Sequence, residues 1–449
     1  MTVFRISNLK KTWYYLQKNG VKAAYLAALE RLEEAKRTPY SYSAPSGEVL
    51  SGQREDTEKN VRISVIVPSY ETKKEHLTQM LDSLMEQTYP HWELVLADAS
   101  AGGRVKEALT AWEKEHKAVL VKEASAEDRW QDRSIRYKRL AANGGIAENT
   151  NAGISLAAGD YTGLLDHDDL LTPDALYEMA SAIESGKKRG AQPQVLYSDE
   201  DKCDGEAAFF YEPHFKPDFD QELLLSNNYI CHFMLMDTGL IQKLKLRPGF
   251  DGAQDYDLVL RAVALGISFT HVPKVLYHWR CHGASTAANP RSKTYAYEAG
   301  KRAVEDFCKT AGWKVKVSHL KHLGFYRVDY EESLFAQRPE VGICAGPLPG
   351  GRRFSSGIYQ KDGSMLYAGL RRGFSGPMHR AALQQSADAV DLRAMSVCPK
   401  LRQRYENTME RLQQDGAREA DYCRESILFC EKARKEGYRI LWDPLEKSV

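Results

Sequence analysis

The sequence predicts an α/β protein built on a doubly wound, mostly parallel sheet, and three observations predict it. Two runs that read as buried strands, the β-branched Ile63 to Val67 and Glu93 to Ala97, flank a stretch with Leu77, Met80, Leu81 and Leu84 at helical spacing over 75 to 87. Strand, helix, strand in that order makes a right-handed parallel unit. Both runs end in small polar residues, Pro68-Ser69-Tyr70 and Asp98-Ala99-Ser100, where an open α/β sheet binds its ligands. The third observation is the stretch from Asn143 to Leu176: a turn, a helix, a short strand and a cluster of acids.

Length and composition set the frame. At 449 residues the chain is too long for one ordinary domain. With 43% apolar and 27% charged residues it has the balance of a globular protein with a sizeable core. A formal net charge of +1 gives no bulk attraction to nucleic acid. Eight cysteines without paired spacing, and no secretory leader, predict reduced thiols in the cytoplasm. No stretch has the apolar length of a membrane span.

Residues 1–60 read as a helical extension and a linker. Phe4, Leu9, Trp13, Leu16, Ala24, Leu26 and Leu29 recur near helical spacing among Arg5, Lys10, Lys11, Lys18 and Lys22. Such a helix either packs on its own protein or lies on an anionic membrane surface, which would place the chain on the inner face of the plasma membrane. The polar stretch 41 to 60 reads as the linker.

After Asn143-Gly144-Gly145, a helix is expected from Ile146 to Ala158, closed by Gly159 as a left-handed cap, then a strand from Tyr161 to Leu165. Asp166, Asp168 and Asp169 follow in one turn, with Thr172-Pro173-Asp174 as the start of the next helix. Carboxylates this close repel one another unless a cation sits between them. Asp-X-Asp gives Mg²⁺ or Mn²⁺ one or two hard oxygen ligands and leaves its other positions for water and phosphate. A solvated acidic turn capping the next helix is the alternative.

Further on, Val195 to Tyr197 is a strand ending in Ser198-Asp199-Glu200-Asp201, read as a solvated acidic loop. Asn227, Asn228, Tyr229 and His232 are polar residues in an apolar segment, suited to an acceptor cleft or to a hydrogen-bonded core. Asp255 opens a helix after Phe250-Asp251-Gly252-Ala253-Gln254, and a carboxylate fixed at a helix start suits a general base. Asp257 is spaced to pair with Arg261 at i+4. A strand from Phe269 to Val275 leads to His278-Trp279-Arg280-Cys281-His282. A helix over 295 to 310 and strands over 314 to 319 and 324 to 329 complete a domain spanning 61–330.

Taken in order, the Ile63–Tyr70 strand end, Asp98-Ala99-Ser100, Asn143-Gly144-Gly145, Asp166-His167-Asp168-Asp169 and Gln254-Asp255 resemble the family 2 glycosyltransferases of GT-A fold, over about residues 61 to 285. The resemblance implies a metal-dependent, inverting transfer of sugar from a nucleotide-diphosphate donor, a UDP- or dTDP-sugar, to a saccharide or lipid-linked acceptor of cell-surface polysaccharide synthesis. It implies that Pro68, Ser69, Tyr70 and Asp98 contact base and ribose, with Asn143 and Gly144 beside the nucleotide. It implies that Asp166 and Asp168 hold Mn²⁺ or Mg²⁺ and diphosphate, and that Asp255 is the base. In the closing motif it implies His278, or alternatively His282, as a metal ligand and Arg280 as a phosphate contact. The family usually has two acids before Gly-Ser in its second motif; here Ala97 and Ala99 replace one acid and the glycine, leaving Asp98 as the match.

Residues 331–449 are expected to form a smaller α/β region. Gly437 to Pro444 echoes Gly266 to Pro273 at the same Gly-to-Pro spacing, and Asp421-Tyr422 echoes Asp255-Tyr256, which resembles the back half of a degenerate second glycosyltransferase unit without Asp-X-Asp. Other enzyme classes lack their marks. No G-x-G-x-x-G follows the first strand, as a dehydrogenase needs, nor a glycine-rich basic loop, as a nucleotidyltransferase needs, nor an Asp-X-Asp, as an aspartyl phosphatase needs. The non-enzymatic alternative is an inactive transferase-like scaffold or glycan-binding protein.

Overall fold

The computed structural model describes residues 6–34, 40–116, 120–125, 130–281, 294–349 and 353–446. The chain forms two compact units. One holds residues 39–219 and 229–307, the other residues 1–38, 220–228 and 308–449. This grouping cuts across the three consecutive segments read from sequence, because chain order does not dictate which segments pack together.

In the first unit, strands β1 (Ile63–Ser69), β2 (Trp92–Asp98), β3 (Leu120–Glu123), β4 (Ser134–Arg139), β5 (Tyr161–Leu164), β6 (Leu170–Leu171), β7 (Val195–Cys203), β8 (Phe210–His214), β9 (Met234–Asp237) and β10 (Phe269–Arg280) form one sheet. Its order is β3-β4-β2-β1-β5-β9-β7-β10-β6, with β8 beside β7. The first five run parallel in the expected doubly wound, GT-A manner. β9 runs antiparallel to both β5 and β7.

Register decides what meets at the sheet's edge. Ser69 pairs with Asp98 across β1 and β2, so those two ends emerge level. Ile66 pairs with Leu164 across β1 and β5, which brings Asp166 out beside Pro68. Leu164 also pairs with Met234, the first residue of antiparallel β9, so the residues just before it arrive at the same edge from the opposite direction. The apolar faces of β1 and β2 pack on the helices Lys74–Met85 and Arg104–Glu115 through Leu77, Met80, Leu81, Leu109 and Trp112, all buried.

Several boundaries differ from expectation. The linker contains a helix, Gly47–Glu55, whose N-cap Ser46 accepts from Val49 N at 3.3 Å. The helix after the glycine turn is Ile146–Ile154, and Gly159 is not a left-handed cap. Gly159 is needed for close approach instead: a Cβ there would lie 2.7 Å from the Arg62 carbonyl oxygen. The helix after the acidic turn begins at Ala175 with Asp174 as N-cap, and the Thr172 hydroxyl donates to the Asp174 carboxylate at 2.8 Å. Ser198 to Asp201 are not a solvated loop but buried within β7. Burial is tolerated because each acid has donors: Asp199 with His271 at 2.9 Å, Glu200 with Lys216 at 3.7 Å, and Asp201 with Tyr40 at 2.8 Å.

In the second unit, β11 (Val315–His319) and β12 (Tyr326–Tyr330) form a hairpin. β13 (Val341–Ala345), β14 (Ile358–Tyr359), β15 (Gln385–Ser386), β16 (Ala389–Val390), β17 (Met395–Val397) and β18 (Arg439–Trp442) follow. They form a sheet β15-β18-β13-β17 and a pair β14-β16, packed on the helices Arg402–Gln414 and Glu419–Lys435. Arg338, fully buried, donates to both oxygens of buried Glu222 at 2.6 and 2.8 Å and so ties residues 220–228 into this unit. The Gly-to-Pro echo has matching local geometry. Ile267 N donates to Ala262 O and Gly266 N to Val263 O; Tyr438 N donates to Ala433 O and Gly437 N to Arg434 O. Each glycine thus closes a helix by the same left-handed cap and starts a strand parallel to a buried one.

Candidate active site

The first wall is made of strand ends. Ala99 N donates to Ser69 O at 2.9 Å and Glu71 N to the Ser100 hydroxyl at 2.8 Å, stitching β1 to β2. Ser69 is buried, its hydroxyl 2.7 Å from that of Thr72, while Tyr70 is 51% exposed and open to a ligand. Asp98 is fully buried and accepts from Ser100 N at 2.9 Å, the Tyr137 hydroxyl at 2.7 Å and Arg139 Nη1 at 3.3 Å. Burial and the bond to Asp98 push the Tyr137 phenol up to about 12. Tyr137 and Arg139 come from β4; as ordinary residues of a polar strand end they carry no sequence signal.

The glycine turn forms the next side. Asn143 Oδ1 accepts from Gly145 N at 3.0 Å and Asn149 Nδ2 at 2.8 Å, and Gly144 N donates to Asn149 Oδ1 at 3.1 Å. Gly145 has φ 92°, a conformation costly for other residues, and a Cβ there would collide with Asp251. Asp251 accepts from Ala147 N at 3.2 Å, capping the helix Ile146–Ile154 from a loop a hundred residues away. That loop leads directly to Asp255, so the turn and the expected base are mechanically joined.

The acidic loop is held from beneath by β10. Asp169 is buried and accepts from the Tyr277 hydroxyl at 2.5 Å and Arg280 N at 2.7 Å. The same Tyr277 hydroxyl lies 3.4 Å from Asp166 N, and Arg280 Nε donates to Asp168 O. Burial and the neighbouring carboxylates push Asp169 well above the usual range. Asp166, although exposed, is also pushed up, by the desolvation its crowded surroundings impose and by Asp168 and Asp255, against the pull of His232 and His167. Asp166 lines the cleft, and Asp169 anchors the loop that carries it and Asp168.

Across the cleft lies Asp255, in the first turn of the helix Gln254–Ala264. A cavity lined by Pro68, Ile146, Asp166, Cys231, His232 and Asp255 joins the first strand end, the acidic loop and the helix start. The Cys231 thiol is raised by burial and by its hydrogen bond to Asp255. Asp257 is turned away and buried, receiving Arg247 Nε at 3.0 Å and Arg261 Nε at 2.9 Å, the i+4 pairing read from sequence.

His232 was legible only as one of four polar residues, and it alone of the four lines the cavity. Its ring stacks on Tyr277 at 4.9 Å and contacts Glu200 at 3.3 Å. Burial would lower it, but the bond and charge of Glu200, with Asp166 and Asp169 nearby, push it up to about 9. Lys216 fixes this segment from behind by donating to the carbonyls of Ile230 and His232. Tyr229 is buried edge-on to Tyr197, and Asn227 and Asn228 belong to the other unit.

Residues 64–245 match the family model described as Glycosyl transferase family 2. The chain carries a family 2 glycosyltransferase domain. Over 263 residues it is 38% identical to an uncharacterised protein of Sinorhizobium fredii, an alignment covering 57% of this chain and 26% of that one. It is 33% identical over 271 residues to an O-antigen biosynthesis protein of Myxococcus xanthus, covering 60% and 20%. It is 25% identical over 228 residues to an amylovoran biosynthesis glycosyltransferase of Erwinia amylovora, covering 49% and 70%. The matched segment is about a quarter or less of the full length of the first two relatives.

The structure brings Pro68 and Asp166 of the matched region to one cavity with Asp255, which follows it, and sets Ser69 and Asp98 level at the adjoining edge. Two residues of the closing motif are not brought to it. His278 alternates with Tyr277 along β10 and so points to the other side, where its Nδ1 is 2.5 Å from Asp201 and its ring lies 4.5 Å from Tyr42 and 4.2 Å from Phe210. Buried there against Asp201 and absent from the cavity lining, the ring does not face Asp166, which corrects the expectation of His278 as a metal ligand. Arg280 is fully buried, bonded to the Asp168 and Gly205 carbonyls, and positions the acidic loop from behind rather than lining the cavity. His282 lies outside the described residues.

The donor set nonetheless fits a divalent cation. Asp166 and Asp168 supply hard oxygens from a loop whose mutual repulsion such an ion would relieve. His167 Nδ1 is buried without a hydrogen-bond partner, 4.0 Å from Asp168 Oδ1. Among the described residues no three His, Cys, Asp or Glu side chains form a closed cage. An ion shared with a ligand diphosphate needs none, since Mg²⁺ is commonly held by one or two carboxylates and phosphate oxygens.

Proposed function

We propose that the family 2 domain is a metal-dependent, inverting glycosyltransferase that moves a sugar from a UDP- or dTDP-sugar to a hydroxyl of a growing cell-surface polysaccharide or glycolipid. The observation that carries the reading is the one cavity shared by Pro68, Asp166 and Asp255. The polysaccharide assignment draws on the relatives named for O-antigen and amylovoran biosynthesis.

On this reading Tyr70 covers the base, Asp98 and Ser69 fix the ribose, and Asn143 and Gly144 shape the floor beside the nucleotide. Asp166 and Asp168 hold Mn²⁺ or Mg²⁺, which when bound neutralises charge on the departing diphosphate. His232, kept cationic by Glu200, adds a fixed positive charge beside Asp166. Asp255 accepts the proton of the attacking hydroxyl from the opposite side. Residues 331–449 are a degenerate second unit: the helix, glycine cap and strand recur there, without Asp-X-Asp.

The test pairs binding with turnover. Titration with UDP-, dTDP- and GDP-sugars, each with and without Mn²⁺, is expected to show metal-dependent binding of one class. Asp255→Asn is expected to lose transfer by roughly 10²–10⁴-fold with nucleotide affinity kept. An Asp255→Asn enzyme turning over at full rate removes the assignment.

A further inference from the structure

The N-terminal helix, Ile6–Glu34, is interrupted at Gly20 (φ 81°), and its second half has two apolar sides. One side is docked within its own unit. Leu26 lies so close to Gly373 that a Cβ there would be 2.7 Å from its Cδ1. The Glu30 carboxylate accepts from Ser375 N at 2.9 Å, Gly376 N at 2.7 Å and the Ser375 hydroxyl at 3.1 Å, and Glu33 pairs with Arg371 at 2.9 Å. Residues 26, 30 and 33 share one helix face.

The other side faces water. Val21 is 76%, Tyr25 63% and Leu32 50% exposed, and with exposed Ala28 they fall at i, i+4, i+7 and i+11, a single stripe. Singly exposed apolar residues need no explanation, but an aligned row does. At 100° per residue, Lys22 and Arg31 lie about a quarter-turn to either side of the stripe, and both are exposed. The acids Glu30 and Glu33 are turned toward the docked side and engaged there.

We propose that this stripe docks the protein peripherally on an anionic lipid surface. Val21, Tyr25 and Leu32 enter the boundary between headgroups and acyl chains, and Lys22 and Arg31 reach outward to lipid phosphates along their apolar stems. Tyrosine suits that boundary, having an apolar ring and a polar tip. Charge favours lipid over a second copy of the chain. Two-fold pairing of this face would set Lys22 and Arg31 against each other or against themselves, like against like. No described helix is long and apolar enough to cross a membrane.

The test is co-sedimentation of the full chain with vesicles of phosphatidylcholine alone or with about a third phosphatidylglycerol. Binding to the anionic vesicles, released by salt, is expected, with little to the neutral ones. Val21→Ser/Tyr25→Ser/Leu32→Ser and, separately, Lys22→Glu/Arg31→Glu are each expected to weaken binding about ten-fold or more with an unchanged melting temperature, because all five side chains are exposed. Absence of wild-type binding, or variants that bind as well, overturns the proposal. So does a wild-type dimer, seen by light scattering, that the triple variant dissociates. None of these readouts depends on sugar transfer, so this inference and the proposed activity stand or fall separately.

Discussion

Replacing Tyr277 by Phe removes one oxygen from the point where β10 holds the acidic loop. The ring is fully buried, stacked with His232 at 4.9 Å and near Phe233 at 6.3 Å, and Phe keeps those contacts. What is lost is the hydroxyl that donates to Asp169 at 2.5 Å and lies 3.4 Å from Asp166 N. A buried hydrogen bond to a neutral carboxyl contributes about 1 kcal/mol and one to a carboxylate about 1.5–3 kcal/mol. Asp169 retains Arg280 N as a donor, so the expected loss of stability is about 1–3 kcal/mol. Because the folded-state pKa of Asp169 is raised, the cost falls toward the lower figure as pH drops and the group becomes neutral. Urea unfolding reads the stability, and calorimetric titration of the nucleotide at several Mn²⁺ concentrations reads the site. The expected result is a modest stability loss with a several-fold weaker Mn²⁺ requirement curve. A variant destabilised by that amount yet binding metal and nucleotide as wild type refutes the argument that Tyr277 positions Asp166 and Asp168.

Other outcomes follow from the same geometry. Asp168→Asn removes a charge from the acidic loop and is expected to weaken metal-dependent nucleotide binding while leaving metal-free binding unchanged; chelation of the wild type with EDTA is expected to give the same pattern. Gly145→Ala places a methyl group against Asp251 at φ 92°, and about 1–2 kcal/mol of backbone strain plus about 1 kcal/mol for the disturbed cap is expected in thermal unfolding, with turnover reduced because Asp251 leads to Asp255. Glu222→Gln removes the buried, two-oxygen partner of Arg338 and leaves it only Glu340 at 2.8 Å, so the expected loss of stability is at most about 3–5 kcal/mol, the cost of breaking a buried pair, measured by urea unfolding. Burial raises the Glu222 carboxyl, but Arg338 and Arg439 outweigh it and hold it below its ordinary value of 4.5. The pair's stabilisation is therefore complete above about pH 4.5 and is lost as pH falls through the lower folded value, so acid unfolding monitored in wild type and Glu222→Gln should converge there.

Much of the site was legible because its residues are local to strand ends. Pro68, Ser69, Asp98 and Asp166 each follow a buried run whose pattern and termination are written in neighbouring residues, and parallel pairing then aligns them. Asp255 was legible from its place at a helix start, and Asp257 from the i+4 spacing of Arg261. His232 was not separable from its polar neighbours, since only antiparallel β9 turns it toward Asp166. Glu200 reads as part of a solvated loop because sequence does not show that Lys216 compensates it in the interior. Asp251 capping a helix a hundred residues earlier leaves no trace at short range.

By itself the sequence determined the α/β class, the parallel start of the sheet, the acidic turn after a short strand and the place of Asp255 at a helix start. These depend on periodicity and on residue chemistry over a few positions, where local backbone preferences and burial agree. Only the tertiary structure decided which histidine joins the aspartates. His278 and Tyr277 are adjacent, and strand alternation sends one side chain to Asp201 and the other to Asp169. Only the tertiary structure decided, too, that Arg280 braces the acidic loop instead of lining the cavity, and which stripe of the N-terminal helix is left facing water. In each case the deciding quantity is which groups meet after distant segments pack, and that depends on register and pairing across the whole sheet.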